Sequence, residues 1–405
     1  MENQVKVPAR RLVSTAVAMS AAVLLLASMA EAQDPPLLPS SQTAEVAQIA
    51  TTTAEPAAAA QELPQPTPSS VLSNMRIRGY ADVGFGKPLQ EKLPEGGLQD
   101  SKNSFQIGDF HLFVTTKLSD QWSFLSEMVV TSGFSNEFSA ELDRLVAQYS
   151  PNKHVRVGLG KFNSGLSYYT NQFQLAKFYQ TTTGRPIMFT DNEDGGILPI
   201  HQVGITVRGE IPSGRLGLHY IGELGNGRAF TSNGDADQNF VDVNNAKAVT
   251  GGLFIRPDAV PALDVGFAMY RDTVESDTLE TFRETITTVH AVWLTPNLEF
   301  LNEAAILKHR SEDGDSATTK SFYSQVSRRF GVTRPYGRYD YQDVPLNDPI
   351  LGQGEVAVAF GPRKAVSGGV RVDIRQFAVV KVQFDRALLH DVWASGVHAQ
   401  LAFAF

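Results

Sequence analysis

Residues 394–405 read ASGVHAQLAFAF. Val397, Ala399, Leu401, Phe403 and Phe405 are apolar at every second position, and Gly396, His398, Gln400, Ala402 and Ala404 between them are small or polar. Period two puts the two sets on opposite faces of a strand, one apolar and one that tolerates water. The chain ends on the apolar face, at Phe405. In water a frayed aromatic end has nothing to bury against, whereas in a closed membrane barrel it meets lipid. This strand alone leaves two readings open: the closing strand of a transmembrane barrel, or the edge strand of a soluble sandwich.

The same texture extends back to Met75. Alternating segments fall at 76–85, 105–118, 122–130, 141–149, 154–161, 201–210, 215–222, 247–256, 263–270, 282–294, 298–308, 321–330, 334–341, 364–374, 377–384 and 394–405. The segment at 298–308 alternates poorly, and EVAVAF at 355–360 fits an extra strand, so counts of 14 and 18 stay open beside 16. The connections carry a second pattern. Short turns such as Pro151-Asn152-Lys153, Pro212-Ser213-Gly214 and Thr295-Pro296-Asn297 alternate with longer loops, the longest at 162–200. Short turns at one end and long loops at the other describe an antiparallel up-and-down transmembrane β-barrel with an even strand number and both termini in the periplasm. The expected fold is therefore all-β, with about 16 strands over residues 75–405.

The N-terminus supplies a route to such a place. Lys6, Arg10 and Arg11 precede an apolar run from Ala16 to Ala27, and Ala30-Glu31-Ala32 has the small-x-small pattern of a cleavage site. Residues 1–32 read as a secretory signal cut before Gln33, with no lipid-anchor cysteine. Residues 33–74 are rich in Pro, Ala, Thr, Ser and Gln, without aromatic, Lys or Arg residues. They cannot bury enough apolar surface to offset their ordering entropy and read as a disordered periplasmic linker. Later in the chain no run of about 20 apolar residues offers a membrane helix. The 405 residues include no cysteine, which excludes disulfides and thiolate metal sites. The formal charge of -8 and the absence of a basic block argue against a nucleic-acid binder.

If the apolar faces meet lipid, parity places Arg76, Arg78, Arg144, Arg156, Arg208, Arg215, Arg338, Arg371 and Lys381 on the lumen wall, with Asp82, Asp109, Glu127, Asp340 and Asp373. Charge on the lipid face costs a few kcal/mol near the midplane, which enforces that placement. A wet wall of mutually paired charges is one reading of the set. The other is an arginine-rich path for small anions, because guanidinium forks match phosphate and carboxylate oxygens. Loop 162–200 is aromatic at its start (Tyr168, Tyr169, Phe178, Tyr179). It holds Lys177 and Arg185 and turns acidic at Asp191, Glu193 and Asp194. A loop this long is usually functional. It is expected to narrow the lumen, the alternatives being an outer cap or a subunit contact.

No catalytic spacing is present: there is no H-E-x-x-H, no G-x-S-x-G and no phosphate loop ending in G-K-[ST]. A hydrolase would need a Ser–His pair assembled from separate strands, around His111 or His219. The acidic runs at 191–194 and at Asp235, Asp237 and Asp242 lack the EF-hand spacing, so no metal or cofactor is expected.

RIRGYADVGFG, RLVAQYSPNKHVRVGLGKF, RPYGRYDYQDV, SGGVRVDI and the terminal LAFAF together resemble Gram-negative outer-membrane porins, with the greatest likeness to the phosphate-selective (O/P-type) group. The resemblance implies a passive channel for small hydrophilic solutes or anions, usually a homotrimer, in the outer-membrane bilayer. It also implies that Phe405 forms part of the signal read by the barrel-assembly machinery. A plugged structural or surface-recognition barrel is the alternative.

Overall fold

The structure, a computed structural model, describes residues 74–87, 103–132, 137–173, 177–190, 196–230, 236–238, 242, 244–275, 280–348, 350–351, 363–389 and 392–405. The expected signal, most of the linker and the segment 355–360 lie outside them. The wall strands are β1 (Met75–Lys87), β2 (Ser104–Lys117), β3 (Trp122–Ser132), β4 (Phe138–Asn152), β5 (Val155–Asn163), β6 (His201–Ile211), β7 (Leu218–Gly225), β10 (Ala248–Ile255), β11 (Leu263–Glu275), β12 (Thr281–Leu294), β13 (Leu298–Ser311), β14 (Ser316–Arg328), β15 (Thr333–Asp343), β16 (Arg363–Arg375), β17 (Ala378–Leu389) and β18 (Val392–Ala404). Each pairs with its neighbours in sequence, and β18 returns to β1, so the sixteen close into one antiparallel barrel. β8 (Arg228–Phe230) and β9 (Ala236–Gln238) form a small separate sheet in the connection between β7 and β10.

Closure falls on the stretch that opened the sequence analysis. Tyr80 pairs with Ala404, Val83 with Leu401 and Gly86 with His398. Beyond the ladder, the Gly79 amide donates to the Phe405 carbonyl (2.7 Å) and the Phe405 amide to the Gly79 carbonyl (2.9 Å). The ladder runs from Tyr80–Ala404 to Lys87–Val397, so the seam pairs its backbone groups as a barrel in lipid requires. Leu401 and Phe405 are exposed on the outside, while Gln400 and Ala402 are buried within. The same inversion holds around the wall. Phe105, Leu159, Phe267 and Ile306 are exposed outward, and Glu127, Glu223, Glu303, Asp340 and Lys381 are buried inward. An apolar outside over a polar inside is the reverse of a protein folded in water and matches a lipid surround. No helix among the described residues is long and apolar enough to cross a membrane; the strands do the crossing.

All sixteen expected segments are wall strands, with shifted ends. The connection expected at 309–320 shrinks to 312–315, because β13 and β14 run on. Their polar outward residues resemble a loop by composition, yet the ladder continues through Lys308–Thr318 and Arg310–Ser316. Arg215 requires a correction. Gly214–Leu216 form a 3-10 turn followed by Gly217 at φ 59, a left-handed position that suits glycine, and Arg215 is exposed in that turn instead of standing on the wall.

Candidate functional site

The site is built by the third long connection, residues 164–200, which folds into the barrel. Its sequence explains why. Leu166, Tyr169, Met188, Phe189, Ile197 and Leu198 would be apolar groups in water on an outer loop. Instead they are buried in one cluster with Tyr270, Ile286, Leu301, Leu307 and Tyr323, which face inward from β11 to β14. The rings of Tyr169 and Phe189 stack at 5.0 Å, and Tyr323 meets both edge-on. Burial of apolar area is thus the main term that pulls this part of the loop onto the wall.

Polar anchors fix where it lies. The Gly165 amide donates to both carboxylate oxygens of Glu223 on β7 (3.0 Å). A one-and-a-half-turn helix, α1 (Tyr168–Phe173), follows. A helix this short does not hold by itself. Its first amides, of Tyr168 and Tyr169, donate to Glu303 on β13 at 2.8 and 2.9 Å, where an acid also complements the helix dipole.

Further along, basic side chains of β15–β17 grip the loop backbone. Arg338 donates to the Gly184 carbonyl (2.7 Å) and the Thr182 hydroxyl (3.1 Å), while its Nε holds Asp340 (2.8 Å). Asp340 in turn accepts the Ile187 amide (3.1 Å). Arg371 donates to the carbonyls of Phe178 (2.9 Å) and Gln180 (3.0 Å). Lys381, fully buried, donates to the carbonyls of Lys177 and of Thr182 (2.9 Å). Arg338, Arg371 and Lys381 therefore point inward as expected but are buried under the loop. The physical reason is that loop carbonyls need donors once they leave water.

The last anchor crosses to β1 and β2. Lys177 pairs with Asp109 (3.0 Å) and reaches Asp82 (3.6 Å). Burial alone would lower its pKa, but Asp109 and Asp82 outweigh that and hold it above the usual lysine value. The hydroxyls of Tyr179 and Tyr80 are 2.6 Å apart. A shorter segment, 344–351, also turns inward. Val344, Ile350 and Leu351 join the buried cluster, and Asp348 meets His309 (2.8 Å), which lies against Glu284 (2.8 Å).

Gln400 on β18 adds a bond to the Thr183 carbonyl (3.4 Å), so the loop is fastened to β7, β13, β15–β18, β1 and β2. Among the described residues the charges of β3–β5 pair along their own arc. Arg144 holds Glu127 (2.6 Å), which also faces His111 (3.1 Å). His201 lies 3.8 Å from Asp143. Arg185 on the loop is within electrostatic reach of Asp109 and Asp143, so charge of both signs meets across this arc. Below it Arg208 pairs with Glu223 (3.2 Å) and also holds the loop at Asn171 (2.9 Å). Directly across the ladder from Arg208, Arg156 makes no hydrogen bond or ion pair among the described residues. Arg78 is half-buried and Arg76 exposed on the inward parity of β1. Asp191, Glu193 and Asp194 lie outside the described residues. Phe405 faces outward at the short-turn end of the seam, its ring 6.1 Å from that of Phe110.

Sequence reasoning missed Glu223 and Glu303 as holding residues, and with them Gln383, which accepts the Thr183 amide (3.0 Å), and Glu299, which accepts from the Thr181 hydroxyl (3.0 Å). A signal existed for Glu303: it is an inward acid whose register partners, His290 and Tyr323, offer no strong base. Neither His111 nor His219 is hydrogen-bonded to a serine among the described residues. No group of three or more potential metal ligands occurs among them either.

No family model and no curated protein matches the chain. Solved structures do. The chain is similar to the anion-selective porin from Comamonas acidovorans (14% identity, 82% of this chain, 99% of that one, TM-score 0.59). It is also similar to OmpF of Salmonella typhi, solved with daunomycin (13%, 82% and 97%, 0.55). A third is the outer membrane channel DcaP of Acinetobacter baumannii (10%, 82% and 97%, 0.55). At these identities the likeness speaks for the fold. With its apolar exterior and its inward third loop, the chain has the sixteen-stranded barrel fold seen in these porins, and its outer wall fits a lipid surround.

Proposed function

We propose that the barrel is a passive channel for small hydrophilic solutes, biased toward anions, with loop 164–200 as its constriction. The observation that carries this reading is the loop's fastening around the inner wall. It is held on β6, β7, β13, β15–β18, β1 and β2, and it leaves the charged arc of β3–β5 to face solutes. Arg156, with no hydrogen bond or ion pair among the described residues, stands on that arc across the ladder from Arg208. Rings of such groups favour anions. Asp109 and Asp143 oppose the bias locally, so its size follows from the balance of the two. The test is a salt-gradient reversal potential with the purified protein in planar bilayers, comparing chloride and phosphate. A protein that inserts without conductance steps refutes the channel; steps with cation preference refute only the bias.

A plugged barrel whose outer loops do the work is the second reading. The buried packing of Leu166, Tyr169, Met188, Phe189, Ile197 and, from the second segment, Val344, Ile350 and Leu351 inside the wall favours it. Deleting 177–190 separates the two: a constriction gives larger steps when shortened, whereas a plug removed from a silent barrel creates steps where none existed. No catalytic role is assigned. We further propose that residues 1–32 are an export signal and 33–74 a periplasmic linker, and that the barrels are homotrimers inserted by the assembly machinery. The mature chain should begin at Gln33, and native mass in detergent should be three times the chain's.

A further inference from the structure

The outward faces of β11–β13 carry a feature that permeation does not use. Register places Arg271, Thr285, Lys308 and Thr318 side by side across four strands, and Thr273, Arg283, Arg310 and Ser316 in the next row toward the long loops. The four cations are exposed, and none makes a hydrogen bond or ion pair among the described residues. Arg283 and Arg310 are direct cross-strand partners. Like charges so placed repel and weaken a sheet, unless an anion lies between them. A cleft of about 370 Å³ opens there, lined by Thr273, Thr281, Arg283, Arg310, Ser311 and Glu312. Glu312 stands at its loop edge and bonds neither arginine. Immediately below, the outer wall of β10–β11 holds an apolar groove of about 570 Å³. The side-chain-free Gly251 forms its floor, Val249, Leu253, Phe267 and Met269 flank it, and Arg271 is at its upper end.

The height fits one kind of partner. On β12 the outward residues run from Trp293 through Val289 to Arg283. That is ten residues of about 3.4 Å each, tilted by about 40°, or about 26 Å along the barrel axis. An outer-membrane barrel's apolar band is about 25 Å tall. The two rows therefore stand where the hydrocarbon ends and head groups begin, at the long-loop end. At the same end of β2 and β4 the outward wall is apolar instead, with Phe105, Ile107, Phe138 and Leu142 exposed.

We propose that this wall binds a phosphate-bearing lipid of the outer leaflet. An acyl chain lies in the groove over Gly251, and the phosphate sits among Arg283, Arg310, Lys308 and Arg271. Guanidinium pairs match phosphate oxygens, the neighbouring hydroxyls supply further donors, and low dielectric at the lipid boundary strengthens each contact. A free anion would use only the arginine cleft; the adjoining groove selects a lipid.

The test is native mass spectrometry of the full-length protein in detergent, titrated with bis-phosphorylated lipid A, with its dephosphorylated form, and with inorganic phosphate. Lipid A should bind at least tenfold more tightly than the dephosphorylated form, and R283Q/R310Q should abolish that preference. R283K/R310K, which keeps the charges, should retain most of it. G251F, which fills the groove and leaves the cations, should weaken lipid A binding. Equal binding of lipid A by wild type and R283Q/R310Q would overturn the proposal. So would inorganic phosphate displacing lipid A at equal concentration, which would mark a site for free anions. Heat-modifiable migration confirms that each variant is folded before it is scored.

Discussion

Replacing Arg338 with methionine should loosen the loop while leaving the barrel closed. Arg338 is buried, and it links Asp340 to Gly184 and Thr182 through bonds of 2.7–3.1 Å. Its removal strips a donor from the half-buried Gly184 carbonyl and leaves Asp340, among the described residues, with the Ile187 amide as its remaining bond. Removing one partner of a buried ion pair costs about 3–5 kcal/mol. At about 1.4 kcal/mol per tenfold, the lower figure shifts the docked-to-undocked balance of residues 182–187 by roughly a hundredfold. The wall ladders of β15 with β14 and β16 do not involve the side chain, so the barrel should still form. The chain has no cysteine, so a spin label at T183C reports on this segment alone. Expected results are a mobile label and noisier open-channel current in R338M. The double variant R338M/D340L removes both charges and should recover much of the order, because the cost lies in the stranded carboxylate. An R338M label as immobile as wild type, with unchanged current noise, would refute the view that this pair fastens the loop.

Lys177→Gln should leave Asp109 and Asp82 uncompensated and move the reversal potential toward cations; an unchanged potential would take Lys177 out of the pathway. Because its pKa is raised, its contribution to loop anchoring is fully present below the unfolded value of about 10.4 and is lost only as pH rises through the higher folded value. Conductance should accordingly stay level from pH 5 to 9 with respect to this group, and a titration step there traced to Lys177 would contradict the pairing. Arg156→Gln removes a charge with no partner among the described residues and should shift preference toward cations more than Arg144→Gln, whose charge is already matched by Glu127; equal shifts would show that pairing does not govern access. Deleting Phe405 removes two backbone hydrogen bonds to Gly79 at the seam. The yield of heat-modifiable barrel should fall, with normal conductance in the molecules that insert, whereas altered conductance would place the residue in the pathway.

The wall was legible in the sequence because its signal is local. Side-chain period two and the alternation of short and long connections need no knowledge of distant contacts, so all sixteen strands and the closing role of residues 394–405 could be read directly. Inward parity was legible for the same reason: Arg144, Arg156, Arg208, Arg338, Arg371 and Lys381 all face the interior. What those charges meet there was not. Arg338, Arg371 and Lys381 find their partners between about 150 and 200 residues away, in carbonyls of the folded loop, and a main-chain carbonyl leaves no mark in the sequence.

The poor alternation at 298–308 was a tertiary signal in local form. Leu301, Ala305 and Leu307 are apolar on the inner face because the loop covers them, while Phe300 and Ile306 are apolar on the outer face for lipid. The sequence by itself thus determined a barrel and the two faces of its wall. Only the tertiary structure decided which inner charges fasten the loop and which pair along the wall instead, because those assignments depend on groups that meet only when the chain closes.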